Sequence, residues 1–295
     1  MVLDRRAETF LTLVDLKSYT KTAEKLYITQ PTVTQQIKSL EKDYQATLVQ
    51  YRGRHLTITN EGKELASFFR SIRSQLDKFQ KNFSKSHAKP KISFSTTQSL
   101  SENFIPPITE YLIKHNYQEI KGNVTNTDRS LQMLRRGEVE FSLIEGSFPK
   151  DEFASEVLKT EPFVAVAAKD NPLSQIKQPI DFTDLFQQTL IIREPGSGSR
   201  EIFNSILNYQ DTNLEDFSKI IQVDNIIAIR SLLINNQGIS FIYKNMVKNE
   251  IDSGKLVELN IKNVNVVHDL YFVYLKNNYY QPEYQQLIQW IKKSL

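Results

Sequence analysis

Thr29-Gln30-Pro31-Thr32-Val33-Thr34-Gln35-Gln36-Ile37-Lys38-Ser39-Leu40 is the stretch whose reading decides the fold. Thr29 is suited to cap a helix, and Pro31 falls in its first turn, where a missing N–H costs nothing. Val33, Ile37 and Leu40 recur at helical spacing, so they form the buried stripe. Thr32, Gln35, Gln36 and Ser39 fall on the other face. Glutamine can pair with adenine through two hydrogen bonds, and threonine can bond a base or touch a thymine methyl. The free N–H groups of a helix start also accept phosphates.

Upstream, Phe10, Leu13, Val14 and Leu3 give a first helix its apolar face, and Ser18 caps a second from Tyr19 to Leu26. A tight connection, Tyr27-Ile28-Thr29, joins that helix to the third. Downstream, Leu48–Tyr51 and Leu56–Ile58 alternate as short strands around Arg52-Gly53-Arg54, where glycine serves the turn. A polar helix face alone would read as solvated surface. With a short helix and tight turn before it and an arginine-tipped hairpin after it, the face reads as a DNA reader. The candidate DNA contacts are Ser18, Thr29, Gln30, Pro31, Thr32, Thr34, Gln35, Gln36, Lys38, Arg52 and Arg54.

Charge agrees with this placement. Residues 1–90 carry 16 Lys+Arg against 9 Asp+Glu, a balance of +7, while the rest of the 295-residue chain has 21 against 25. A basic head on a mildly acidic body suits phosphate-backbone binding. The chain has no cysteine, which excludes disulfides, thiolate metal sites and thiol nucleophiles and fits a reducing cytoplasm. The charged N-terminus leads us to expect no signal peptide, and no apolar run is long enough to span a membrane.

From Asn60 a long helix is expected, with Leu65, Phe69, Ile72, Leu76, Phe79 and Phe83 in a heptad seam. Such a seam favours helix-on-helix pairing between two chains. Ser84 to Pro90 is the expected boundary. Beyond it, strand-like runs (Lys91–Ser95, Phe141–Ile144, Phe163–Ala168, Leu190–Arg193, Ile239–Tyr243, Leu270–Leu275) alternate with amphipathic helices such as Ile105–Lys114 and Asp128–Arg136. This predicts an α/β body with mostly parallel sheets and two lobes.

The segment Phe10 to Gly62 resembles the winged helix-turn-helix of the LysR-type transcriptional regulators. The matching residues are Ser18-Tyr19, Ala23-Glu24-Lys25-Leu26, Gln30 to Ile37, Leu40-Glu41, Leu48, Arg52, Thr57, Thr59 and Gly62. The pattern departs at Tyr44-Gln45, where the family usually has Leu-Gly, and at Val49 to Tyr51. The resemblance covers the whole chain. It implies an N-terminal all-α winged helix-turn-helix (1–60), a linker and dimerisation helix (61–88), and a two-lobed effector domain like periplasmic binding proteins (89–295). Lobe I would hold 89–161 and 266–295, and lobe II 162–265. It further implies a dimer of dimers on promoter DNA, with RNA polymerase as a further partner.

Three loops could line the cleft between lobes. Ser95-Thr96-Thr97-Gln98-Ser99 and Arg193 to Arg200 each lead from strand to helix, with hydroxyls and free N–H groups suited to an anion. Asn126-Thr127 with Ile144-Glu145-Gly146 is the third. All resemble segments of the LysR subgroup that regulates sulfur assimilation and carbon dioxide fixation. Ser95, Thr97, Gln98, Ser99, Asn126, Glu145, Ser197, Ser199 and Arg200 are thus the candidate effector contacts, for a small anionic metabolite. An internal salt bridge is the expected fate of Arg193 or Arg200. No metal or cofactor is expected, because His55, His87, His115 and His268 lack metal-ligand spacing and Gly196-Ser197-Gly198 has no hydrolase elbow around it. The competing reading is an α/β enzyme or anion-binding protein with a basic anchoring arm.

Overall fold

The computed structural model describes residues 4–52, 55–83 and 90–294. Its head starts with three helices, α1 (Arg5–Leu16), α2 (Tyr19–Leu26) and α3 (Gln30–Tyr44). A hairpin of β1 (Val49–Arg52) and β2 (His55–Ile58) follows. Each helix start is set by a side chain: Asp4 accepts from the Arg6 amide, Ser18 from Lys21 and Thr29 from Thr32. These bonds satisfy N–H groups that a helix cannot pair internally. The three helices end on non-glycine residues in the left-handed region, Lys17, Tyr27 and Gln45. Phe10, Leu13, Val33, Ile37 and Leu40 are buried together, closed below by Leu48 and Leu56 of the hairpin region.

The next helix, α4 (Asn60–Phe83), carries the apolar stripe expected to pair with a second chain. Leu65 and Phe69 are buried in the head's own core, and Tyr44 meets the Phe69 ring edge-on at 6.0 Å. Ile72 and Leu76 are half-buried and Phe79 is 52% exposed. The Phe83 side chain lies outside the described residues. The stripe is therefore divided: its first turns complete a three-helix head too small to close its core alone.

Another face of α4 docks on the body. The Ser71 hydroxyl donates to the Lys276 carbonyl at 2.7 Å, and the Gln75 amide donates to the Asn277 carbonyl at 2.8 Å. Arg70, only 7% exposed, bridges Asp15 of α1 at 2.6 Å and Glu152 of the body at 3.0 Å. Arg135 holds the same Glu152. Linker, head and body thus share one ion-pair network.

The body runs β3 (Lys91–Thr97), α5 (Gln98–Lys114), β4 (Glu119–Thr125), α6 (Thr127–Arg135), β5 (Phe141–Ile144) and β6 (Phe153–Ala168). It continues with β7 (Thr189–Ile192), α7 (Gly198–Tyr209), β8 (Lys219–Gln222), α8 (Ile226–Ile234) and β9 (Ile239–Tyr243). It ends with α9 (Lys248–Asp252), β10 (Leu256–Leu259), β11 (Val266–Leu275) and α10 (Gln281–Ser294). The strand order is β4-β3-β5-β11-β6-β9-β7-β8, with β10 also on β6. The expected parallel pairing holds for the outer strands, β3 with β4 and β5, and β7 with β8 and β9. Every pairing of β6 or β11 is antiparallel. The reason is topological: the chain leaves one half along β6 and returns along β11, so the two run in opposite directions side by side.

β5 is buried at every residue, and Phe141 stacks between Phe94 at 5.3 Å and Phe272 at 4.5 Å. Helix α5 begins seven residues before the expected Ile105 and passes through Pro106 and Pro107. Two lost N–H bonds weaken it, but burial of Leu100, Phe104 and Ile108 against the sheet holds it.

Candidate functional site

The first site is the outer face of α3. Gln30, Pro31, Gln35 and Lys38 are exposed, while Ser18, Thr32, Thr34 and Gln36 are half-buried. Local bonds pre-set part of this face. The Thr29 and Thr32 hydroxyls meet at 2.8 Å, and the Gln30 amide donates to the Thr34 hydroxyl at 3.2 Å. Gln35 makes no such local bond among the described contacts, which leaves its amide available to a base edge. Tyr27, in the turn before α3, is 96% exposed. Its aromatic ring beside α3 was absent from the sequence-derived candidates; a tyrosine reads as a core residue unless its left-handed turn position is known. Arg54 lies outside the described residues, as does the side chain of Arg52.

The second site lies where the two halves of the body meet. Four candidate side chains converge there. Glu145, fully buried at the end of β5, accepts from the Thr97 hydroxyl, and the Ser199 hydroxyl lies 3.5 Å from it. The Ser99 and Ser199 hydroxyls meet at 3.2 Å across the junction. Gln98 reaches over to α8, donating to the Asp224 carbonyl and accepting from the Ile226 amide at 3.1 Å. Asn126 donates to Glu194 at 3.3 Å while capping α6 through Arg129. Ser197 caps α7 through the Arg200 amide at 3.2 Å.

Two candidates do not join this cluster. Ser95 is sealed inside the sheet, bonded to Ser142 at 2.6 Å, because alternate β3 residues face opposite layers. Arg200 turns back on its own loop, donating to the Arg193 carbonyl at 3.0 Å and to Asn204 at 3.2 Å. Arg193 forms the internal ion pair expected of one of the two, with Glu194 at 2.8 Å.

Close backbone approach makes the junction possible. A Cβ on Gly198 would stand 2.6 Å from the Glu145 carbonyl carbon and from its Cγ. Gly146 has φ +87° and a Cβ there would meet the Gly198 Cα at 2.8 Å. Burial pushes the Glu145 carboxyl up from its ordinary range, opposed by the Thr97 hydroxyl, the Arg193 guanidinium and Ser99. On the far flank of this contact is a cavity of about 190 Å³ between Gly146, Glu201, Ile202, Val266 and His268.

A family profile described as "Bacterial regulatory helix-turn-helix protein, lysR family" matches residues 5–63. A second, "LysR substrate binding domain", matches residues 85–295, more than half of the chain. The chain belongs to the LysR family of transcriptional regulators. Similar curated proteins are the HTH-type transcriptional regulator CysL of Bacillus subtilis, 25% identical over 90% of this chain and 89% of CysL. The RuBisCO operon transcriptional regulator of Allochromatium vinosum is 23% identical over 94% of this chain and 91% of its own. Both relatives fall in the subgroup that the resemblance of the effector domain named. The relatives are named as regulators, not enzymes.

Solved structures share the fold. Full-length LysG of Corynebacterium glutamicum with bound effector Arg superposes with a TM-score of 0.64 at 15% identity, covering 98% of this chain and 96% of LysG. The Synechocystis CcmR regulatory domain in complex with 2-PG gives 0.58 at 20% identity, over 68% of this chain and 96% of that domain.

Several residues that carry the LysR resemblance have structural tasks in the head. The Glu41 carboxylate accepts from the Leu48 amide at 2.8 Å, and the Thr59 hydroxyl donates to the Thr47 carbonyl at 2.6 Å. Thr59 also accepts from the Gly62 amide at 2.9 Å. A Cβ on Gly62 would press to 2.8 Å from Ile58. Much of the motif thus anchors the wing to α3 and α4, while Gln35 stays exposed on the outer face of α3. The Asp15–Arg70–Glu152–Arg135 network escaped sequence reasoning, since its members lie far apart along the chain and each reads as ordinary surface charge.

Proposed function

We propose that this LysR-type regulator reads double-stranded promoter DNA with Gln30, Thr32, Thr34, Gln35, Gln36 and Lys38, while Ser18 and the first turn of α3 from Thr29 to Pro31 meet phosphates. Arg52 and Arg54 of the wing grip the backbone or minor groove beside them. A small anionic metabolite is the effector, held between lobe I (89–161 and 266–295) and lobe II (162–265). The protein acts in the cytoplasm as a dimer of dimers, and the effector changes the spacing of the heads and their contact with RNA polymerase. Such an effector must bind one lobe arrangement better than the other.

The observation that supports the DNA reading is the amide-bearing outer face of α3 over a fully buried Val33/Ile37/Leu40 stripe. For the effector, LysG's bound Arg and CcmR's 2-PG support a small-molecule ligand. The helix starts and hydroxyls of Thr97, Ser99 and Ser199 favour an anion. Gel shifts on DNA upstream of the protein's own gene test the first part. Gln35→Ala is expected to lose about 1–3 kcal/mol at one base position; equal weakening on all sequences would remove its base-reading role. Thermal-shift screening against sulfate, thiosulfate, O-acetylserine, keto acids and sugar phosphates tests the second.

A further inference from the structure

The junction between the two halves already holds an anion-type group, and it belongs to the protein. Glu145 is fully buried, and its carboxyl lies between the starts of α5 and α7. Thr97, the N-cap of α5, makes no side-chain cap bond. Ser18, Thr29, Asn126, Ser197 and Asn225 all cap their own helices. The Thr97 hydroxyl is instead given to Glu145. The Ser199 hydroxyl, one residue into α7, approaches the other carboxyl oxygen at 3.5 Å.

The surrounding backbone is shaped to this side chain. Gly198 leaves the space through which the Glu145 stem passes, since a Cβ there would stand 2.6 Å from Glu145 Cγ. Arg193 adds a cation that is 5% exposed, with Nε and Nη2 on Glu194 and Nη1 without a hydrogen-bond partner. Two helix starts, hydroxyls and a buried guanidinium make a cradle for one negative group.

We propose that Glu145 is an internal stopper of the effector cleft: its carboxyl occupies the cradle that the effector anion takes, and binding requires its displacement. This rests on the effector reading above. Displacement removes the Thr97–Glu145–Ser199 link across the junction and leaves Gln98, Ser99 and Asn126 as the side chains that still tie the two halves together. It also sets specificity. A ligand must bring its own carboxylate-like or oxyanion group to replace the contacts Glu145 surrenders, and a neutral ligand cannot.

The test uses the full chain, its melting midpoint, and acetate and sulfate as probes against chloride at equal ionic strength. Glu145→Ala is expected to melt below the wild type and to be restored by acetate in a saturable way, whereas wild type shows no saturable response. Glu145→Gln keeps the shape without the charge and guards against a variant that fails to fold. At a pH high enough to ionise Glu145, whose carboxyl burial pushes up, stabilisation of Glu145→Gln by sulfate is expected at a half-point at least tenfold lower than in the wild type. The stopper is refuted if folded Glu145→Ala responds to acetate no more than to chloride. It is equally refuted if Glu145→Gln and the wild type share one sulfate half-point at that pH. The effector reading fails separately: acetate would restore Glu145→Ala, yet no metabolite would alter DNA binding by the wild type.

Discussion

Gly198→Ala sets two physical effects against each other at the first residue of α7. Alanine is the better helix former by about 1 kcal/mol in a helix interior and by less at a terminus. No positive φ is involved at this position, so propensity alone predicts a more stable protein. Space predicts the opposite. The new Cβ would meet the Glu145 carbonyl carbon and Cγ at 2.6 Å, with the Glu145 carbonyl oxygen closer still. Backbone atoms on the facing strand end cannot rotate away as a flexible side chain would. Overpacking of this kind costs about 1–3 kcal/mol, so the net change is a loss of about 1–2 kcal/mol. At about 2–4 °C per kcal/mol for a body of this size, the calorimetric midpoint should fall by about 2–8 °C. The same strain pushes the start of α7 away from Glu145 at the end of β5, so the response of DNA binding to anions should change as well. An unchanged or raised midpoint would refute the packing argument and leave helix propensity in command.

Gln45 holds a left-handed conformation with φ 50° where the family usually has glycine; Gln45→Gly should raise head stability by about 1 kcal/mol in urea unfolding, and a loss would show that its side chain has a contact of value. Arg70→Met should lower stability by about 2 kcal/mol, below the range of about 3–5 kcal/mol for a fully buried pair, because Asp15 reaches water and Glu152 keeps Arg135. A drop below 1 kcal/mol in denaturant unfolding would mean that Arg135 suffices. Because burial raises the Glu145 carboxyl above its unfolded value of 4.5, the fold favours the protonated form. The stability of wild type relative to Glu145→Gln should be greatest below pH 4.5 and decline as pH rises through the raised value. A difference that grows with pH would show that Thr97 and Arg193 outweigh burial.

Much of this protein was legible from local pattern. Val33, Ile37 and Leu40, the capping Thr29 and the exposed amides of α3 follow from helical period and cap chemistry, which act over a few residues. β5 and β9 matched their expected bounds because short apolar runs between turns are complete signals. Long-range terms decided the rest. The heptad spacing of α4 says that one face is apolar but not what covers it, and the head's own core covers Leu65 and Phe69. The antiparallel crossing of β6 and β11 depends on where the chain returns, which no local period encodes.

The candidate effector residues divide on the same ground. A strand-to-helix loop with hydroxyls is visible in sequence, so Thr97, Ser99, Ser197 and Ser199 could be named. That Ser95 turns into the sheet while Glu145 fills the space between two helix starts is a matter of register and of residues some fifty positions apart. The sequence by itself determined a LysR-type head, a linker helix and an α/β body, because those rest on periodicity, caps and motif spacing. Only the tertiary structure decided which apolar stripe serves the head and which carboxyl stands in the cleft, because burial and pairing are set by what the folded chain brings alongside.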